Sequence, residues 1–238
     1  MFAQGRGAAP PPATAKAAAL QDITGYWVSI VTEDWRFRMV TPARGDYASI
    51  PLNAEGRKAA DTWDPDKDTA AGEQCRSYGA PAIMRVPGRV HISWQDDNTM
   101  KIETDSGQQT RLLHFNTQPP AAEPASLQGY SVATWDTPPA VVANGGGRAP
   151  AAARIGSLKV VTTHLKPGYL RKNGVPYSAN TVLTEYFTRT DEPDGSSWLI
   201  ITNEVVDPAY LQQPFITSSN FRLQRDAAGW MPAPCEAK

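Results

Sequence analysis

Between residues 90 and 115, apolar and polar side chains alternate with a period of two, three times over, with turn residues between the runs. Val90, Ile92 and Trp94 share one parity; Met100, Ile102 and Thr104 follow, then Leu113 and Phe115. A strand sends successive side chains to opposite faces, so this pattern demands a sheet with one buried face. With Asp96-Asp97-Asn98 as the first turn, Trp94 pairs with Met100, Ile92 with Ile102 and Val90 with Thr104. A one-residue slip would turn every apolar side chain outward, which fixes the register. The opposite face then sets His91 across from Glu103. If Ser106-Gly107 begins a two-residue turn, Phe115 follows Met100, Leu113 follows Ile102, and His114 falls beside Lys101.

Similar strand patterns occupy residues 26–40, 128–135, 157–164, 180–190, 198–206 and 219–225, giving nine or ten strands in all. So many short strands predict an all-β chain folded as a closed or nearly closed antiparallel barrel, because closure removes unpaired sheet edges. One short helix is expected over 54–63. Asn53 is a good N-cap, Glu55 lies in the first turn, and Pro65 ends it. Residues 1–21, rich in Ala, Pro and Gly, have little to bury and read as a disordered linker. A single barrel domain then spans 22–238.

Lys and Arg number 23 against 24 Asp and Glu, so the chain lacks the excess of basic charge that phosphate-based nucleic-acid binding draws on. The longest uncharged apolar stretches, such as 25–32, are far shorter than the roughly 20 residues of a membrane helix. No nucleic acid and no membrane span are therefore expected, and the barrel points to a small hydrophobic molecule as the partner. The two cysteines are Cys75 and Cys235, and the second follows Pro232-Ala233-Pro234 in a terminus that would otherwise fray. A bridge to Cys75 would pin that tail and implies an oxidising compartment, periplasmic or secreted; the alternative is two reduced thiols. The start, Met1-Phe2-Ala3-Gln4, has no basic or apolar signal region, and fits a trimmed leader or an ordinary tail.

No cofactor is expected. Asp64-Pro65-Asp66-Lys67-Asp68 opens like a calcium loop but has Thr69 where glycine is needed and Cys75 where glutamate is needed. Asn144-Gly145-Gly146-Gly147 lacks the lysine and following helix of a phosphate cradle. The three histidines, His91, His114 and His164, show no metal-site spacing, and Lys101 beside His114 would repel a cation. Acid–base chemistry is better supplied. Residues 163–178 crowd donors and aromatics into a connection at a barrel mouth, where binding groups concentrate. His164 as base, oriented by Glu185, with Tyr169 or Tyr177 supplying a proton, would make a catalytic set. Arg171 and Asn173 would hold the ligand. So would Trp35, Arg36 and Arg38, because arginine beside aromatics grips a carboxylate or sulfate. In strand geometry Asp34, Arg36 and Arg38 share one face, and Glu33, Trp35 and Phe37 the other.

At Gly25-Tyr26-Trp27, opening the first strand, the chain resembles the lipocalins, which carry G-x-W there with the tryptophan closing the barrel floor. In that family a late arginine stacks on the tryptophan; Arg222 is the counterpart. Residues 24–42, 72–115 and 163–187, with the Asp207-Pro208 turn, also resemble a group of uncharacterised exported bacterial proteins. The resemblance implies a calycin-type barrel. It also implies either a cofactor-free isomerase, hydratase or lyase acting on a small hydrophobic molecule, or a carrier that only holds one. In both, the ligand would occupy an apolar pocket inside the barrel lined by some of the tryptophans. An accessory protein without a ligand is the third reading, marked by a solid interior.

Overall fold

The computed structural model describes residues 13–115, 117–136 and 156–238; the glycine-rich run at 144–147 and most of the N-terminal linker lie outside them. Nine strands close a barrel in the order β1-β11-β10-β9-β6-β5-β4-β3-β2, with β2 hydrogen-bonded back to β1. They are β1 (Gly25–Ile30), β2 (Arg89–Asp96), β3 (Thr99–Thr104), β4 (Thr110–Phe115), β5 (Tyr130–Asp136), β6 (Ser157–Thr163), β9 (Val182–Asp191), β10 (Ser197–Val206) and β11 (Phe215–Gln224). A separate hairpin of β7 (Gly168–Arg171) and β8 (Val175–Tyr177) covers one side.

The barrel is mixed rather than antiparallel. Strands β4 and β5 run parallel, so the chain must cross over between them instead of turning back. Nine strands with one parallel pair also depart from the eight-stranded up-and-down lipocalin barrel. Trp27 is fully buried, with its indole N–H donating to Ile23 O at 3.0 Å. The guanidinium above it belongs to Arg189, at 6.0 Å, while Arg222 lies over Trp198.

The expected β2–β3 register is present, with Trp94 opposite Met100, Ile92 opposite Ile102 and His91 opposite Glu103. The β3–β4 register is shifted by two: Met100 faces Leu113, and Ile102 faces Arg111. The loop is the four residues 105–108, with Thr104 N–H reaching Gln109 O around Gly107 and Gln108, both at positive φ; it is centred on Ser106-Gly107, one residue earlier than the expected pairing requires, and moving the centre by one residue moves the register by two. A slip of two preserves each side chain's face, so burial is unchanged. His114 ends opposite Thr99 and stacks on Tyr130 instead of lying beside Lys101.

Among the described residues, four short α-helices replace the single one expected. Helix α2 (Ala54–Ala60) starts as predicted, with Asn53 capping Gly56 N–H at 2.8 Å. Pro65 does not simply end it: it opens α3 (Pro65–Ala70), capped by Asp64, where a missing N–H costs nothing. Helix α4 (Ala80–Ile83) is almost wholly apolar and pushes Ile83 and Met84 into the core. Helix α1 (Trp35–Met39) stands where a strand was expected. Asp34 adopts φ 50°, and its carbonyl accepts Phe37 and Arg38 N–H. A five-residue run of aromatics and arginines fits either period, so alternation alone does not separate helix from strand here. The packed chain also reaches back before Asp22: Ala15 joins the core, and Lys16 N–H bonds Asp97 O.

The barrel interior is filled in tiers. Trp27, Ile92, Leu113, Phe187, Leu199 and Phe221 belong to one apolar cluster. Leu165, Leu183, Val205 and Phe215 belong to a second. Between them along β9 comes Glu185, and with it a polar tier. Arg111 donates to both oxygens of Glu185 and, from Nη2, to Thr162 Oγ1 at 2.9 Å and Ser131 Oγ at 3.2 Å. Both ion-pair partners are essentially sealed from solvent. The gap beside Ile102, Thr104 and Arg111 leaves no room for a water molecule. Where a tryptophan-lined pocket was expected, Trp27 fills the core, Trp94 and Trp135 pack against it, and Trp35 lies outside on the surface.

Replacing Glu185 by alanine strands a buried guanidinium and should lower stability by about 3–5 kcal/mol in urea denaturation. Joint replacement, Arg111→Met with Glu185→Leu, should cost less than that single change. A double variant losing as much or more would deny that the pair acts as a unit.

Candidate functional site

Among the openings at the surface, of which the widest, about 890 Å³, lies by Gln21, Asp136 and Arg189, one gathers buried charge. It is a cleft of about 300 Å³ walled by α1, the turn after α4, the β3–β4 turn, the β7–β8 hairpin and the C-terminal tail. Hydrogen bonds tie the turn after α4, the β3–β4 turn and the tail together. Ser106 Oγ holds Pro87 O, and Asp105 Oδ1 accepts Arg89 and Ser106 N–H. The tail pairs with the β3–β4 turn through Ala233 N–H to Asp105 O and Gly107 N–H to Ala233 O, both 2.9 Å. The Cys75–Cys235 disulfide then anchors it across a separation of 160 residues.

Three buried arginines line this cleft: Arg38, Arg85 and Arg171. Arg38 Nε donates to Arg85 O at 2.9 Å, and its terminal nitrogens reach Glu33 and Ser29 Oγ. Arg85 Nη2 donates to Asp34 Oδ2 at 2.9 Å; among the described residues its Nη1 is buried with no hydrogen-bond partner. Arg171 is held by a carbonyl and a ring rather than by a carboxylate: it bonds Ala48 O at 3.0 and 3.1 Å and lies 4.2 Å from the Phe37 ring centre. Burial, and then the charge of Arg85, pull Arg171 down to about 10. Burial lowers Arg38 as well, against the pull of Glu33, with Arg85 adding to the lowering. Lys172 adds a fourth cation at 5.1 Å from the Tyr78 ring. Phe37, Met39, Val40, Ala82, Val86 and Leu170 give the same cleft an apolar lining. A guanidinium nitrogen without a partner, kept from water, costs free energy that an anion would recover.

The structure unites two of the predicted ligand-binding residues, Arg38 and Arg171, at this cleft. Asn173 supports it from behind, donating to Ala43 O and Asp46 O at 3.0 Å. Because 35–39 is helical, Arg36 and Arg38 do not share a face: Arg36 points out to Asp46 at 2.8 Å while Arg38 is buried. Trp35 lies outside the lining and is 66% exposed.

The four residues expected to form a catalytic set are dispersed. Glu185 is committed to Arg111 inside the barrel. His164 leaves β6 at φ 57° and pairs its Nδ1 with Thr163 Oγ1 at 2.9 Å. Glu185 is opposite Val160, four residues before His164, or roughly 13 Å along the strand. Tyr169 and Tyr177 border a second cavity of about 280 Å³, between the hairpin and α3. Tyr169 donates to Asp68 Oδ2 at 2.8 Å under Arg76, which itself holds Asp68. Burial raises both tyrosines well above their ordinary range, and for Tyr169 the Asp68 carboxylate adds to it. Such phenols hold their protons tightly, which weakens both as the proton donors they were expected to be.

Sequence reading missed Arg85 and Arg111. Arg85 is the lone charge in the apolar run Ala80–Val86, and Arg111 shares parity with Leu113 and Phe115. Both are therefore charges where an apolar residue belongs, which was a usable signal. No protein-family model, curated protein or solved structure matches this chain.

Removing the disulfide as Cys75→Ser/Cys235→Ser should cost up to about 4–5 kcal/mol by the chain-entropy relation. It should also free the tail, so that carboxypeptidase removes residues beyond Trp230 from the variant and not from the parent. A variant tail as resistant as the parent's would show that backbone contacts alone hold this wall.

Proposed function

We propose that this protein binds a small molecule with an apolar body and one anionic group, in the cleft of Arg38, Arg85 and Arg171, and carries it in an oxidising compartment, periplasmic or secreted. The observation that carries this reading is the unpartnered Nη1 of Arg85, buried beside two further buried guanidiniums. An anion there would satisfy that nitrogen and relieve the repulsion among the three cations, while Phe37, Met39, Val40 and Leu170 would cover the apolar part. The disulfide is consistent with the compartment. The separation of His164 from Glu185 favours holding the ligand over transforming it. Catalysis would need those groups within hydrogen-bond reach of one substrate.

Titration calorimetry with decanoate and with uncharged decanol tests this. Decanoate should bind and decanol should not. Arg85→Leu should weaken decanoate by about tenfold to a hundredfold, the worth of one charge-assisted hydrogen bond. Affinity should stay level from neutrality and fall as pH climbs through about 10, where Arg171 in the free protein loses its proton. Equal binding of decanoate and decanol, or an Arg85→Leu variant that binds as the parent does, would refute the anionic site.

A further inference from the structure

Helix α1 turns apolar side chains toward solvent. Trp35 and Met39 are four residues apart and so share one helical face; they are 66% and 59% exposed, and the adjoining Val40 is 67% exposed. Three of the seven large exposed hydrophobic side chains among the described residues thus fall within six positions, which makes a patch and not the ordinary scatter of single exposed residues. The patch sits at the rim of the arginine cleft, because Met39 and Val40 are also part of its lining. Arg36, on the same short helix, is itself largely exposed. An indole, a thioether and a valine are thus presented beside a concentration of guanidinium charge.

We infer that α1 docks on an anionic bilayer surface and that the cleft takes its ligand from there, headgroup first; this rests on the anionic-site reading above. The chemistry fits that occupant in two ways. Tryptophan favours the boundary between acyl chains and headgroups, and Arg36, largely exposed on the same helix, is placed to meet negatively charged headgroups. A protein groove fits less well. Helix-in-groove recognition uses anchors over two turns or more, and α1 has only five residues. The arrangement also solves a transfer problem. An amphiphile leaving a bilayer exposes its tail to water unless the acceptor's apolar rim touches the membrane as the head is captured.

Co-sedimentation with phosphatidylcholine vesicles, with and without phosphatidylglycerol, gives the test, alongside decanoate calorimetry on the same samples. The protein should sediment with phosphatidylglycerol vesicles and not with phosphatidylcholine alone. Trp35→Ser should weaken vesicle association by about tenfold while leaving decanoate affinity unchanged, since Trp35 is outside the cleft lining; Trp35→Phe should restore most of the association. Intact decanoate binding also shows that the variant is folded. Decanoate binding by the parent without vesicle association would overturn the docking inference and leave the anionic site standing. So would undiminished association of Trp35→Ser, or self-association of the parent abolished by that change. Absence of decanoate binding in the parent would instead strike the underlying site.

Discussion

Closure of the barrel through β1 governs the whole molecule. Strand β1 is hydrogen-bonded to β11 on one side and to β2 on the other, so the nine-strand sheet has no free edge. Once the sheet closes, every second side chain is committed to one interior. That interior is occupied by two apolar clusters with the Arg111–Glu185 tier between them. Filling the barrel leaves the arginine cleft on its outside. What the helices, the hairpin and the tail then build against the barrel is recessed ground on which charge and apolar surface meet.

The cleft is an electrostatic conflict held in place by its surroundings. Arg38 and Arg85 each have a carboxylate neighbour, in Glu33 and Asp34, yet both remain beside each other and beside Arg171. Arg171 is held by neutral groups. Such crowding lowers stability in the free protein, and a chain selected for stability alone would have little reason to keep it. By contrast, the buried Arg111–Glu185 pair has nearly every donor engaged, with Ser131 and Thr162 completing the tier. The two arginine environments differ in completeness: one has its donors engaged, while the other keeps a buried guanidinium nitrogen of Arg85 without a partner among the described residues.

Much of the architecture was legible from period-two burial. The β2–β3 register follows from Val90, Ile92 and Trp94 meeting Thr104, Ile102 and Met100, and the disulfide from a lone cysteine in a terminal Pro-rich tail. Three things escaped. The parallel β4–β5 pair depends on a crossover whose direction no local pattern encodes. Helix α1 is too short for its period to be read. The site depends on residues far apart in sequence, so a locally dense polar segment, 163–178, drew attention that belonged partly elsewhere. That segment did supply Arg171 to the cleft and Asn173 to its support, but Tyr169 serves Asp68, and His164 faces its own neighbour Thr163. A charge inside an apolar run, as at Arg85, was the better guide than a cluster of polar residues.

The central claim is that an anion completes the arginine cleft, and a crystal structure of the protein with decanoate tests it most directly. The claim requires a carboxylate oxygen at about 2.7–2.9 Å from Arg85 Nη1, with the alkyl chain running along Phe37 and Leu170. Decanoate inside the barrel, decanoate in the cavity beside Tyr169, or a cleft that stays empty at saturating ligand would contradict it.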